Sequence, residues 1–242
     1  MNPKLIPLSL NDSFCFSCSP DVPCFNECCR DLNQFLTPYD ILGLKNLLGL
    51  SSEEFLVTYT SQHIGPESGL PIISLKPNDP RELICPFVTE KGCQVYKNRP
   101  SSCRTYPLVR SVSRSRQTGK TTEQYMVLKE PHCHGFDSGE SQTVLQWIDD
   151  QKLTIYNETN DKLMRLISLK NRLMPGPLNI KSRKLFHLAL YDLDNFRSQI
   201  LNNGLLDSFD ADSAGRDSAV ADDVALLELG MQWVAHALFG VK

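Results

Sequence analysis

Sixteen residues, Cys15 to Arg30, read CFSCSPDVPCFNECCR and hold five cysteines; the chain's other four are Cys85, Cys93, Cys103 and Cys133. Burial as a small hydrophobe accounts for one or two free cysteines, not for this density. Three explanations compete: disulfides, a metal, or ordinary buried thiols. An odd count of nine fits a disulfide framework poorly. Met1 to Leu10 carries one lysine and a short apolar run broken by Pro3 and Pro7, without the pattern of an export signal. That predicts a cytoplasmic, reducing location, where cysteine clusters serve metal binding or catalysis. Metal is the reading that the spacing favours.

Cys15 and Cys18 stand three apart, so a tight turn would aim both sulfurs at one ion, as in the first half of a zinc or iron–sulfur site. Cys28 and Cys29 are adjacent, and neighbouring side chains usually diverge. One of them would complete the Cys15/Cys18 site while the other faces a second site. The expectation is two metals or one multinuclear cluster. Eight thiolates fill two four-coordinate sites and leave one cysteine over.

At 242 residues the chain suits one large domain or two small ones, with enough core to fold without a metal staple. A hydrophobic content of 41% and a charged content of 22% are those of a soluble globular protein. A net charge of -3 supplies no global drive toward nucleic acid or membrane, and no apolar run approaches the ~20 residues of a membrane span.

Along the chain, Thr37 caps a helix that starts at Pro38, carries Ile41, Leu44, Leu47 and Leu48 inward, and ends at Gly49. Ser51 and Glu54 form a capping box for a second helix bearing Phe55, Leu56 and Tyr59. Strands are expected over 70–76, over 83–88 with Cys85, and over 108–113 and 121–130. The last two are joined by a basic loop with Arg110, Arg114, Arg116 and Lys120, best read as a solvated hairpin tip. Turns at Lys91-Gly92 and Arg99-Pro100 precede Cys93 and Cys103. His132 and His134 flank Cys133, and either could replace a thiolate, though Cys133 is the simpler ligand. His63 and His236 read as ordinary histidines. From about Thr143 the cysteines cease and helical periodicity takes over, with one helix over 180–201 and a closing helix over 224–239. Between those two, residues 205–223 form a polar, aspartate-rich linker. The predicted class is α+β: a cysteine-rich domain, 1–140, with short helices and a small antiparallel sheet, followed by a helical region, 141–242.

The assembled residues resemble the YkgJ-like cysteine-cluster family, described as zinc- or iron-chelating. The first block is Cys15, Cys18, Cys28 and Cys29. The second is Cys85, Pro86, Phe87, Cys93, Tyr96, Arg99, Pro100, Cys103, Arg104, Tyr106 and Pro107, with Cys133 as the last cysteine. The resemblance covers roughly residues 14–136. It departs from the family's commonest form in that nine residues separate Cys18 from Cys28, and they contain Cys24. Cys24 is therefore either the spare thiol or a ligand of a variant cluster. Arg99 and Arg104 flank Cys103 and are expected to hydrogen-bond a sulfur, carboxylate or carbonyl there, tuning the cofactor site from outside its ligands. The resemblance implies a metal-binding protein that handles or senses metal or electrons; eight or nine thiolates with almost no histidine make an iron–sulfur cluster the first choice and zinc the second. It also admits an iron–sulfur-dependent enzyme that modifies proteins, since some flagellin lysine methylases are similar in their cysteine motif. A zinc-stapled interaction module is the third reading. A protein partner fits any of these; nucleic acid and membrane are not expected.

Overall fold

The computed structural model describes residues 3–115, 117–137, 139–207, 209 and 218–241. Arg116 of the basic loop and most of the aspartate-rich linker, residues 208 and 210–217, lie outside the described residues. The class is α+β. The N-terminal strand β1 (Lys4–Leu8) begins a sheet whose other members come a hundred residues later. A short strand β2 (Ser13–Cys15) follows, and then a string of turns through the cysteine loop.

Helix α1 (Pro38–Leu48) forms where its caps dictate. Thr37 and Asp40 close a capping box, Pro38 occupies the first turn, and Gly49 ends the helix in a left-handed conformation. The Ser51/Glu54 box starts α2 (Ser52–Tyr59) in the same way. Strands β3 (Phe35–Leu36), β4 (Thr60–Ile64) and β5 (Pro71–Leu75) make an antiparallel sheet in the order β3-β5-β4. A two-residue hairpin joins β6 (Val88–Thr89) to β7 (Gly92–Cys93), with Gly92 at a φ of 112° that disfavours other residues. The strand expected over 83–88 is absent: Leu83 takes a left-handed φ of 52° and Pro86 cannot donate, so the chain turns around Cys85.

After the short helix α3 (Ser101–Thr105), the long hairpin β8 (Leu108–Arg114) and β9 (Thr121–Lys129) completes the first sheet, in the order β1-β9-β8. Strand β10 (Ser141–Thr143) pairs with β2 and leads into α4 (Val144–Asp150) and α5 (Leu153–Leu173), separated at Lys152 by a left-handed residue. The single helix expected over 180–201 is two, α6 (Ile180–Leu190) and α7 (Leu193–Asn203). The break falls at Asp192, whose carboxylate accepts from Ser52 Oγ at 2.7 Å and Asn195 Nδ2 at 2.7 Å. Helix α8 (Asp223–Phe239) closes the chain, and none of the described helices is long and apolar enough to cross a membrane.

Two apolar cores result. The larger packs Leu36, Ile41, Leu44, Phe55 and Phe87 against Phe186, Phe196, Leu226 and Val234, so residues on both sides of Thr143 build it together. At about 1.5–3 kcal/mol per fully buried large side chain, this core supplies folding energy independent of any metal. The smaller core joins Phe14, Phe16, Leu108, Tyr125, Val127 and Val144, under the β1-β9-β8 sheet. Cys85 and Cys93 pack against the larger core and Cys133 against the smaller, which places the cysteine region at the seam between them.

Asp40 fastens one wall of that seam. Its buried carboxylate accepts from Thr37 N at 2.8 Å, Thr37 Oγ1 at 2.9 Å, Ser101 N at 2.7 Å and Ser101 Oγ at 3.1 Å. It thereby caps α1 and ties it to the first residue of α3, the helix that bears Cys103. Asp40→Ala removes a cap and strands buried donors, so it is expected to destabilise by about 2–4 kcal/mol in urea unfolding. A change below about 0.5 kcal/mol, the range of ordinary surface substitutions, would remove Asp40 from this role.

Candidate metal centre

The cysteine loop owes its shape to consecutive tight turns. Val22 N–H donates to Ser19 O, Phe25 N–H to Val22 O, Glu27 N–H to Cys24 O and Cys29 N–H to Asn26 O. Pro20 and Pro23 need no donor there and stiffen the run. Asn26 tolerates the left-handed φ of 68° that its turn needs, and its side chain donates to Thr89 O at 3.0 Å, tying the loop to the β6–β7 hairpin. The turn expected between Cys15 and Cys18 does not form: Cys15 ends β2 opposite Ser141, and the chain coils only after Cys18.

Two backbone bonds clamp the first cysteine block to the second. Cys85 N–H donates to Cys29 O at 2.8 Å, and Leu32 N–H donates to Leu83 O at 2.8 Å. Cys28 and Cys29 lie in a single 3-10 turn, Glu27–Cys29, so their side chains do not diverge as strand neighbours would; their sulfurs are 4.0 Å apart. With a zinc–sulfur bond of about 2.3 Å, the edge of a tetrahedron is about 3.8 Å, so the pair can share one ion as it stands. Among the described residues no three His, Cys, Asp or Glu side chains are gathered tightly enough to hold an ion without some closure.

Eight thiols feel one another. Burial, then the charges of Cys28, Cys24 and Cys133, push Cys18 up to about 11. Cys103 is exposed, yet its neighbours act on it. Burial and then Cys85, Cys28 and Cys93 push it up to about 12. Burial likewise raises Cys85, Cys93 and Cys133. Within the adjacent pair, a hydrogen bond from Cys29 pulls Cys28 down to about 7, while the same bond and burial push Cys29 up. The magnitude explains the split, because two unit charges 4 Å apart repel by about 4 kcal/mol at an effective dielectric of 20. Cys15 stands apart. Phe14 and Phe16 on either side of it are buried in the smaller core, and strand alternation turns Cys15 to solvent.

The surroundings favour sulfur anions. His134 N–H donates to Cys24 Sγ at 3.1 Å. Main-chain donors at Phe87 and Val88 serve Cys85, one at Val95 serves Cys93 and one at Gly135 serves Cys133. The Tyr106 hydroxyl also donates to Cys133. Such donors, with thiols otherwise kept protonated by burial and mutual repulsion, are what a cation-bound thiolate set requires. The residues present therefore fit a thiophilic metal.

Arg99 and Arg104 both spend their guanidinium groups on oxygen and on rings. Arg99 donates to Tyr96 O at 2.7 Å and to Gln151 Oε1, and stacks 3.8 Å over the Tyr96 ring. Its charge still lowers Cys18 and Cys93. Arg104 donates to Gln151 O at 2.8 Å and to Lys97 O, and lies 4.7 Å over Tyr156. It braces α3 against the α4–α5 junction. His134 pairs with Asp137 at 3.2 Å, His132 lies 3.8 Å from Glu130, and His63 faces Phe35 on the exposed side of its sheet. Tyr106, which bonds Cys133, stands in the second sequence block, whereas Gln34 was not singled out by sequence: Cys103 Sγ lies 3.2 Å from Gln34 Oε1. A single glutamine has no spacing signal that could have found it.

Thiols from two sequence blocks are thus clamped into one region lined by N–H donors. Residues 17–134 match the family model CxxCxxCC, described as a "putative zinc- or iron-chelating domain". The match begins after Cys15 and includes Cys24. No curated protein and no solved structure matches the chain.

The raised thiols fix a pH dependence. In the metal-free protein, unfolded thiols ionise near 9.0 whereas Cys18 keeps its proton to about 11 and Cys103 to about 12. The folded state then binds more protons across that window, so stability falls as pH rises through it. Cys28, lowered to about 7, acts with the opposite sign and is outnumbered. The denaturation midpoint of metal-free protein is expected to drop across this window, and to drop less in Cys18→Ser/Cys103→Ser. Equal slopes in the two proteins would contradict the assignment.

Proposed function

We propose that Cys18, Cys24, Cys28, Cys29, Cys85, Cys93, Cys103 and Cys133 hold metal as iron–sulfur or as zinc, in two adjoining sites, and that the protein handles or senses metal or electrons. Cys28 is the observation that carries this reading. Its charge is among those acting on Cys18, and also among those acting on Cys29, Cys85, Cys93 and Cys103, so it stands between the two halves of the set. Cys24 is included because its sulfur accepts from His134 N–H and acts on Cys133, whereas Cys15 is left as the spare thiol. Iron–sulfur is preferred to zinc because the proposed ligands are all cysteine, although all-cysteine zinc sites are also common. Arg99 tunes the site by charge and Arg104 by holding the Cys103 helix in place.

One observation favours the enzyme reading as a second choice. An open cleft of about 420 Å³ is lined by Ser17, Ser19, Asp21, Pro23, His134 and Asp137, chain neighbours of Cys18, Cys24 and Cys133. A substrate could reach that cleft without unfolding the loop.

Protein purified without oxygen should contain iron with sulfide, or zinc, read by elemental analysis, absorption and Mössbauer spectra. Cys28→Ser and Cys103→Ser should each lose at least half of the bound metal, and Cys15→Ser should keep it. Full retention in both of the first two variants would overturn the shared-site reading. A metal that exchanges a non-protein ligand would move the weight to the enzyme.

A further inference from the structure

A groove far along the chain from the cysteines has the makings of a second binding site. It runs between β4 and α6, has a volume of about 570 Å³, and is lined by Gln62 and Ile64 of the strand and by Ile180, Arg183, Lys184 and His187 of the helix. The helical residues recur at intervals of three and four, so they form one stripe facing the groove. Ile180 is 65% exposed and Ile64 36%, which leaves apolar surface open at both walls.

The strand offers more than side chains. In the order β3-β5-β4, β4 is an edge, and no strand lies beyond it among the described residues. Gly65 N–H donates to Leu70 O at 3.0 Å and Lys76 N–H to Tyr59 O at 2.9 Å, which marks residues 59 and 65 as bonded toward β5. Alternation in an antiparallel ladder then turns the N–H and C=O groups of Gln62 and Ile64 to the free edge. Those same two residues line the groove.

The charge is one-sided. Among the described residues Arg183 and Lys184 have no carboxylate within ion-pair reach. Burial lowers His187, which leaves its imidazole neutral at neutral pH. Asp192, the acidic residue at the rim, is held by Ser52 and Asn195. Two unpaired cations therefore look into a groove with a free strand edge on its other wall.

We propose that this groove docks an extended acidic segment of a partner protein, which adds to β4 as a strand and sets its carboxylates against Arg183 and Lys184. Strand addition supplies main-chain hydrogen bonds, and the flanking stripe selects alternate side chains. The proposal stands independently of the metal reading.

The test uses the full chain and a fluorescein-labelled peptide of about eight residues alternating glutamate and valine, read by anisotropy. Saturable binding is expected, weakened about tenfold or more by Arg183→Glu/Lys184→Glu. Serine in place of glutamate, or N-methylation of alternate peptide amides, should weaken it similarly. Amide exchange at Gln62 and Ile64 should slow when the peptide is present. Arg183→Ala/Lys184→Ala, both exposed or half-buried positions, guards against a folding artefact and should also weaken binding. No saturable binding, binding indifferent to charge reversal, or tighter binding of labelled oligothymidylate through the same two residues would overturn the proposal.

Discussion

The cysteine region answers to one electrostatic constraint: thiols crowded this closely cannot all ionise without a cation. The Cys28 and Cys29 sulfurs, 4.0 Å apart, show it in miniature, one pulled down to about 7 and the other pushed up by the bond between them. The fold accepts this crowding because other interactions hold the loops together. The Cys85 N–H to Cys29 O bond joins the two blocks, Asn26 anchors the loop to the β6–β7 hairpin, and Asp40 fixes the helix bearing Cys103. The apolar cores on either side give those clamps a rigid frame, since interiors pack too densely to yield.

Local chemistry made much of this legible in the sequence. The two capping boxes and Gly49 fix α1 and α2 to the residue, because a cap is a short-range hydrogen bond between near neighbours. The β8–β9 hairpin also appears where alternation placed it. Failures occurred where distant residues decide. The 83–88 segment has strand-like composition but is pulled into turns beside Cys29. The break at Asp192 depends on Ser52, 140 residues away in sequence, and periodicity alone could not see it.

The cysteines divide in the same way. Their density pointed to metal chemistry, and the family match over residues 17–134 supports a zinc- or iron-chelating domain. Spacing alone, however, paired Cys15 with Cys18 as a turn. The structure instead commits Cys15 to a strand whose neighbours Phe14 and Phe16 are anchored in the smaller core, and it coils the chain so that Cys24 lies against His134. Which thiol of a dense run turns to solvent is set by tertiary burial of its neighbours, and a count of intervening residues carries no such information.

The central claim is that sulfur from these cysteines, and no other donor, surrounds a bound metal. X-ray absorption at the metal edge of protein purified without oxygen addresses it most directly. The account predicts a first shell fitted by sulfur alone at about 2.3 Å, with that shell depleted in Cys28→Ser. A first shell of oxygen and nitrogen, or a sulfur shell unchanged in that variant, would contradict it.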